Sequence, residues 1–303
     1  MFREAFLWAS EKRWLQKTVT EGELARKVVT RFVAGDTLED AVRAIKELNA
    51  RGIGGILDLL GEGVTDPAMA ENAFEEYLSA IKRIEETGID TTVTVKLTQL
   101  GLAFDKGACI DHLRKLAAEA QAIERYIEID MEQSGYVRDT LDVYRLLHSD
   151  FPALRVAMQA YLRRTPVDLE TLSMLQPRVR LVKGAYAEPG EIAFQRGSEI
   201  DGQYRFLIDW LFERGTDPGI ATHDHRLIGY AQSTARRLGR GPDSFEIQML
   251  YGIRRDLQEQ LAQQGHRVRV YVPFGSAWYP YFMRRLAERP ANLRFFLRAV
   301  AGR

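Results

Sequence analysis

The chain has 303 residues, 46% hydrophobic and 28% charged, a balance that supplies a sizeable apolar core and excludes intrinsic disorder. Its 42 basic residues match its 42 acidic ones, so no overall field draws in nucleic acid and any anion must be recognised by a local cluster. Cys109 is the only cysteine, which excludes an intrachain disulfide and a cysteine-based metal site and fits a reducing, cytoplasmic setting.

The opening MFREAFLWASEKRWLQK breaks its apolar residues with charges every few positions, unlike the continuous core of a signal peptide. No apolar run approaches the ~20 residues that span a bilayer. Two helical stretches follow, LARKVVTRFVAG (24–35) and TLEDAVRAIKELNARG (37–52), the second with Asp36 or Thr37 as its cap. Beyond this preamble of about fifty residues, eight β-rich runs alternate with amphipathic helical segments. The runs are GGILDLL (54–60), TTVTVKL (91–97), YIEIDM (126–131), LRVAMQAY (154–161), VRLVKGAY (179–186), GIATHD (219–224), FEIQMLYG (245–252) and VRVYVPFG (268–275). Between them lie segments such as AENAFEEYLSAIKRIEETG and IDHLRKLAAEAQAIER, with apolar residues at spacings of three and four. Without a Pro/Gly/Ser-rich linker, this alternation predicts one α/β domain over 1–303, a parallel (β/α)8 barrel with N-terminal helices and a C-terminal helix.

Sites in such barrels lie at the carboxyl ends of the strands. Those ends carry Lys96, Asp130, Gln159, Lys183, Tyr186, Thr222, His223, Gln248 and Tyr271. Strand alternation puts Thr94 with Lys96, and Glu128 with Asp130, on single faces. Lys96 and Asp130 read either as a structural ion pair or as a pair that orients a substrate and tunes its protonation. His223 and His225 are two apart and the other histidines are scattered, so no metal site is expected. Lys183 either binds an anion or forms a Schiff base, as in barrel aldolases. The small Gly184-Ala185 step after it lets backbone approach a bulky ligand. No nucleophile elbow, GxGxxG or Walker sequence follows a strand, so a nucleotide cofactor would be held in some other way. A non-catalytic carboxylate-binding barrel is a third reading.

After the eighth strand comes WYPYFMRRLAERP (278–290), in which Ser276 caps a helix, Pro280 sits near its first turn and Pro290 lies beyond its end. Tyr281, Arg284, Arg285 and Glu288 fall at i, i+3, i+4 and i+7 and share a face near the barrel mouth, where the arginine pair can grip a carboxylate.

Tyr281-Phe282-Met283-Arg284-Arg285 resembles the Y-x-x-R-R signature of the FAD-dependent proline dehydrogenases. VKLTQLG (95–101), EIDME (128–132), MQAYLRRT (158–165), RLVKGAY (180–186) and ATHD (221–224) are similar to that family's strand-end blocks, in the same order. The resemblance implies oxidation of L-proline to Δ1-pyrroline-5-carboxylate, with electrons passing through FAD to a membrane quinone. By this matching Lys96, Leu250, Tyr271, Tyr281, Arg284, Arg285 and Glu288 bind proline, and Asp130 and Arg180 act in catalysis. Met131, Gln159, Arg180, Lys183, Gly184, Ala185, Thr222, His223 and Gln248 hold the flavin, with Arg180 near its N5. Asp224 stands where many relatives carry asparagine, so Asp224 and His225 receive no role. Tyr271 favours proline over hydroxyproline as substrate. The chain stops after the barrel, so its product is expected to pass to a separate pyrroline-5-carboxylate dehydrogenase. The last segment, ANLRFFLRAVAGR, reads either as packing on the barrel or as a peripheral contact with the inner face of the cell membrane.

Overall fold

The computed structural model describes residues 29–61, 64–278 and 281. In chain order these form α1 (Leu38–Asn49), β1 (Gly54–Leu59), α2 (Pro67–Thr87), β2 (Thr91–Val95), α3 (Lys106–Ala122), β3 (Ile127–Ile129), α4 (Val137–His148), β4 (Arg155–Gln159), α5 (Thr165–Leu172), β5 (Arg178–Val182), α6 (Gly197–Arg214), β6 (Gly219–Ala221), α7 (His225–Arg237), β7 (Glu246–Leu250), α8 (Arg255–Gln263) and β8 (Arg267–Phe274). Neighbouring strands pair in parallel in sequence order, and β8 closes on β1 with Gly54 opposite Arg269 and Leu59 opposite Phe274. This is the expected eight-stranded barrel.

Local chemistry sets the element ends. Of the two candidate caps of α1, Thr37 takes the role: its hydroxyl accepts the Asp40 N–H while the Asp40 carboxylate accepts the Thr37 N–H, a reciprocal capping box. Asp66 caps α2, Pro67 follows in its first turn, and Gly88 closes it at φ +62°. The described end of the first helical stretch, 29–35, closes with a single turn from Val33 N–H to Val29 O and is tied to the barrel by Ala34 N–H to Pro273 O.

The strands are shorter than the β-rich runs that announce them. β3 pairs over three residues and β6 over three, so Lys96, Asp130, Lys183, Thr222 and His223 stand just past the paired ends. Their backbone still follows the barrel, as in the Asp130 N–H bond to Val95 O at 2.9 Å.

The period of two along each strand divides outside from inside. Val93, Ile127, Ile129, Val156, Val179, Leu181, Ile247 and Val270 belong to the buried apolar layer beneath the helices. The opposite parity carries Glu128, Arg155, Arg180, Glu246, Gln248 and Arg269 into the barrel, where branched apolar residues usually predominate. Arg155 is fully buried and reaches Glu246 at 2.7 Å, Asp217 at 2.8 Å and Glu128 at 3.2 Å. Arg269 meets the other oxygen of Glu246 at 3.0 Å. The interior is thus an alternating stack of acids and bases, rigid because every member needs its neighbours.

Candidate active site

Above this ionic stack the barrel opens into a cavity of about 690 Å³, a size suited to a bound organic molecule. Its lining includes Lys96, Asp130, Met131, Gln159, Arg180, Lys183, Gly184, Ala185, Thr222, His223, Gln248, Leu250, Tyr271 and Tyr281. These fourteen residues and Tyr186, all singled out along the sequence, therefore converge on one space. Arg284, Arg285 and Glu288 lie outside the described residues.

One side of the cavity is built by four adjacent strands. Tyr271 comes from β8, Asp58 from β1, Lys96 from the end of β2 and Asp130 from the end of β3. The Lys96 ammonium sits between two carboxylates, 2.7 Å from Asp58 Oδ1 and 3.0 Å from Asp130 Oδ2. Tyr271 donates its hydroxyl to Asp130 Oδ2 at 2.8 Å, and Thr94 donates to Asp130 Oδ1 at 3.0 Å. From β5, Arg180 crosses the barrel, donates to Asp130 Oδ1, and lies 5.4 Å from the centre of the Tyr271 ring.

The electrostatics separate the two carboxyls. At Asp130 burial acts upward, but Lys96 and then Arg180 outweigh it and hold the carboxyl below its ordinary value. At Asp58 burial prevails over Lys96, and the Asp130 charge adds to it, so that carboxyl is raised. Burial would neutralise Lys96, yet Asp58, Tyr271 and Asp130 keep it well above the usual lysine value. Lys96 and Asp130 thus form the ion pair and both line the cavity.

The other side comes from β4 to β7. Gln159 is buried and donates to Glu132 O at 2.9 Å. His223 Nε2 accepts the Leu250 N–H at 2.8 Å, which places the ring proton on Nδ1. Thr222 Oγ1 accepts the Asp224 N–H, and Asp224 caps α7 by accepting from Arg226 N–H. Asp224, without a role from the sequence, is thus a structural cap that also stands 3.4 Å from Lys183. Lys183 donates to Asp201 at 2.6 Å and is partly exposed at the rim, while Arg180 points into the barrel. Three residues apart and so of opposite strand parity, Arg180 and Lys183 occupy separate places. With its ammonium engaged by Asp201, Lys183 offers no support for Schiff-base chemistry.

Gly184 has φ +123°, and a Cβ there would lie 2.1 Å from Tyr161 Cδ1. The small Gly184-Ala185 step is thus required first by the Tyr161 ring, in addition to any ligand. Gly184→Ala is expected to cost about 2–4 kcal/mol through backbone strain and displacement of that ring, read as a fall in the denaturant midpoint at unchanged slope.

Asp58 and Asp201 escaped the sequence reading. Asp58 had a signal, a lone acid in the apolar run GGILDLL at the inward parity. Asp201 had none, because it lies in α6 and reaches Lys183 only through the fold. Gln248 lines the cavity, but its amide donates to Glu128 and Glu246 below, so it also joins the mouth to the ionic stack. Gln248 Oε1 and Arg180 Nε are buried without hydrogen-bond partners, leaving capacity for polar groups of a bound molecule.

The proline dehydrogenase family model matches residues 41–298. The chain belongs to the proline dehydrogenase family. It is 38% identical over 300 residues to proline dehydrogenase 1 of Bacillus subtilis subsp. natto, covering 99% of both chains. It is also 38% identical to the proline dehydrogenase of Deinococcus radiodurans, covering 99% of this chain and 98% of that one. Among solved structures, proline utilization A of Bdellovibrio bacteriovorus superposes with a TM-score of 0.82 at 23% identity over 87% of this chain. That of Bradyrhizobium japonicum superposes with a TM-score of 0.74 at 26% identity over 91%. The chain spans about a third of those two longer proteins. The barrel fold is therefore shared with chains of very different length.

Proposed function

We propose that the protein oxidises L-proline to Δ1-pyrroline-5-carboxylate with FAD in the cavity above the ionic stack. The observation that carries the reading is the Asp58–Lys96–Asp130–Arg180 chain beneath Tyr271, in a barrel of the proline dehydrogenase family. The cavity suits a flavin: it is large, has the close Gly184 backbone on one side and Lys183 at its rim, and contains unpartnered buried polar atoms on Arg180 and Gln248. Met131, Gln159, Lys183, Ala185, Thr222, His223 and Gln248 would hold it, with Arg180 near the ring system.

When bound, FAD supplies the two-electron acceptor that no side chain provides. The protein's own residues position and shield the substrate. Lys96 uses two of its three N–H donors on Asp58 and Asp130, leaving one for an anionic group. With Arg284 and Arg285 added from the sequence, that donor makes a carboxylate grip. Leu250, Tyr271 and Tyr281 offer apolar surface to the pyrrolidine ring and exclude water. Asp130 fixes Arg180 and the Tyr271 hydroxyl in one geometry.

Electrons then pass to a membrane quinone through peripheral contact with the bilayer. Among the described residues no helix is long and apolar enough to cross a membrane.

Anaerobic addition of proline to the purified protein tests the reading. The protein should be yellow and its flavin absorbance should bleach with proline. Colourless protein that takes up no added FAD, or bound flavin that stays oxidised in proline, overturns it.

A further inference from the structure

We propose that Asp58 is the proton acceptor of the site, taking the proton of the substrate's ring ammonium on its free carboxylate oxygen while Asp130 remains an anionic anchor. The assignment rests on the reading that the site oxidises proline. A secondary amine releases hydride from the adjacent carbon only when its nitrogen lone pair can form the new C=N bond, so an ammonium must first lose a proton.

Hydrogen-bond capacity separates the two candidate carboxylates. A carboxylate offers about four acceptor positions. At Asp130 both oxygens are engaged: Arg180 and Thr94 meet Oδ1, Tyr271 donates to Oδ2, and the Lys96 ammonium lies 3.0 Å from Oδ2. At Asp58, Oδ1 receives Lys96 at 2.7 Å, and Oδ2 is buried without a hydrogen-bond partner. Asp58 is 1% exposed and lines the cavity. A buried acceptor left open in this way is costly unless something donates to it.

Charge agrees with geometry. Asp58 faces Lys96 from β2, Asp130 from β3 and Tyr271 from β8, with Tyr77 from α2 behind Lys96 and Arg180 beyond Asp130. Burial raises Asp58 and makes it the stronger base, whereas Lys96 and Arg180 make Asp130 a weak one. Two carboxyls pushed apart by their surroundings divide the work of base and anion. In the step itself the N–H bond breaks, its electron pair stays on nitrogen, and an O–H bond forms on Asp58 Oδ2. The proton returns to solvent after the product leaves.

The test is flavin reduction by proline after rapid mixing, followed against pH, in the flavin-loaded full chain and in its Asp58→Asn, Asp58→Glu and Asp130→Asn variants. In the unsubstituted protein the limiting rate should fall along one acid limb. Asp58→Asn should slow reduction about a hundred- to ten-thousand-fold and remove that limb. Its kcat/KM should then climb with pH toward the pKa of the free amine, since only neutral proline can react. Asp58→Glu should restore part of the rate and the limb, and Asp130→Asn should weaken proline binding but keep the limb. An infrared carbonyl stretch of a protonated carboxyl should titrate with the limb and be missing in Asp58→Asn. An active unsubstituted protein whose limb and carbonyl band survive in Asp58→Asn overturns this assignment alone. Unsubstituted protein whose flavin proline does not reduce overturns the functional reading with it.

Discussion

Lys96→Met is expected to lower kcat/KM for proline about a hundred- to a thousand-fold, the usual loss when a buried electrostatic partner of the reacting groups is removed. Lys96 is the cation shared by Asp58 and Asp130, and its side chain is largely buried. Methionine keeps the length and apolar stem but takes from Asp58 the only cation paired with it among the described residues, and leaves Asp130 with Arg180. Like charges in so buried a place do not both persist, so one carboxyl takes up a proton. Asp58, already raised, is the one to do so. The variant thereby loses its proton acceptor and one donor for the substrate carboxylate together. Folding and flavin content should survive, because protonation replaces an unpaired buried charge. Steady-state kinetics with a flavin absorbance ratio check both halves, and kcat/KM within tenfold of the parent would sink the claim.

Arg155→Met should destabilise the fold by about 3–5 kcal/mol at neutral pH, the cost of breaking a buried ion pair from one side. The thermal midpoint should then fall by roughly 6–15 °C. Arg155 is fully buried, contacts three carboxylates and lies 5.0 Å from the centre of the Tyr126 ring. At Glu246 and Asp217 burial acts upward, but Arg155 leads the cations that depress both carboxyls. A depressed carboxyl contributes stability above its unfolded pKa, near 4 for an acid of this kind, and loses it as pH falls through the lower folded value. Without Arg155 the leading part of that contribution is lost, so parent and variant should draw together as pH is lowered toward that range. Adding Glu246→Gln to Arg155→Met should recover part of the loss, because the buried acid whose Oε1 has lost its cation is then removed, Arg269 holding only Oε2. Thermal unfolding at neutral and acid pH checks this, and an Arg155→Met midpoint unchanged at neutral pH would refute it.

Several parts of this molecule were legible in one dimension. Period-two runs separated by period-three-and-four segments announced the eight strands and their helices. The inward parity of Thr94 with Lys96 and of Glu128 with Asp130 was readable from alternation, since a strand sends successive side chains to opposite faces. The Thr37 cap was one of two possibilities until Asp40 closed the box.

Partners across the barrel were not legible. Asp58 and Lys96 are 38 residues apart, Arg180 and Asp130 are 50 apart, and Gln248 and Glu128 are 120 apart. Each meeting depends on barrel closure and strand register, quantities that no local spacing encodes. By itself the sequence determined the secondary structure, the polar strand ends and the family to which the motifs belong. Only the tertiary structure decided which carboxylate has both oxygens engaged and which keeps one open. That distinction arises from how many donors converge on one buried oxygen, and convergence of distant strands exists only once the barrel has closed.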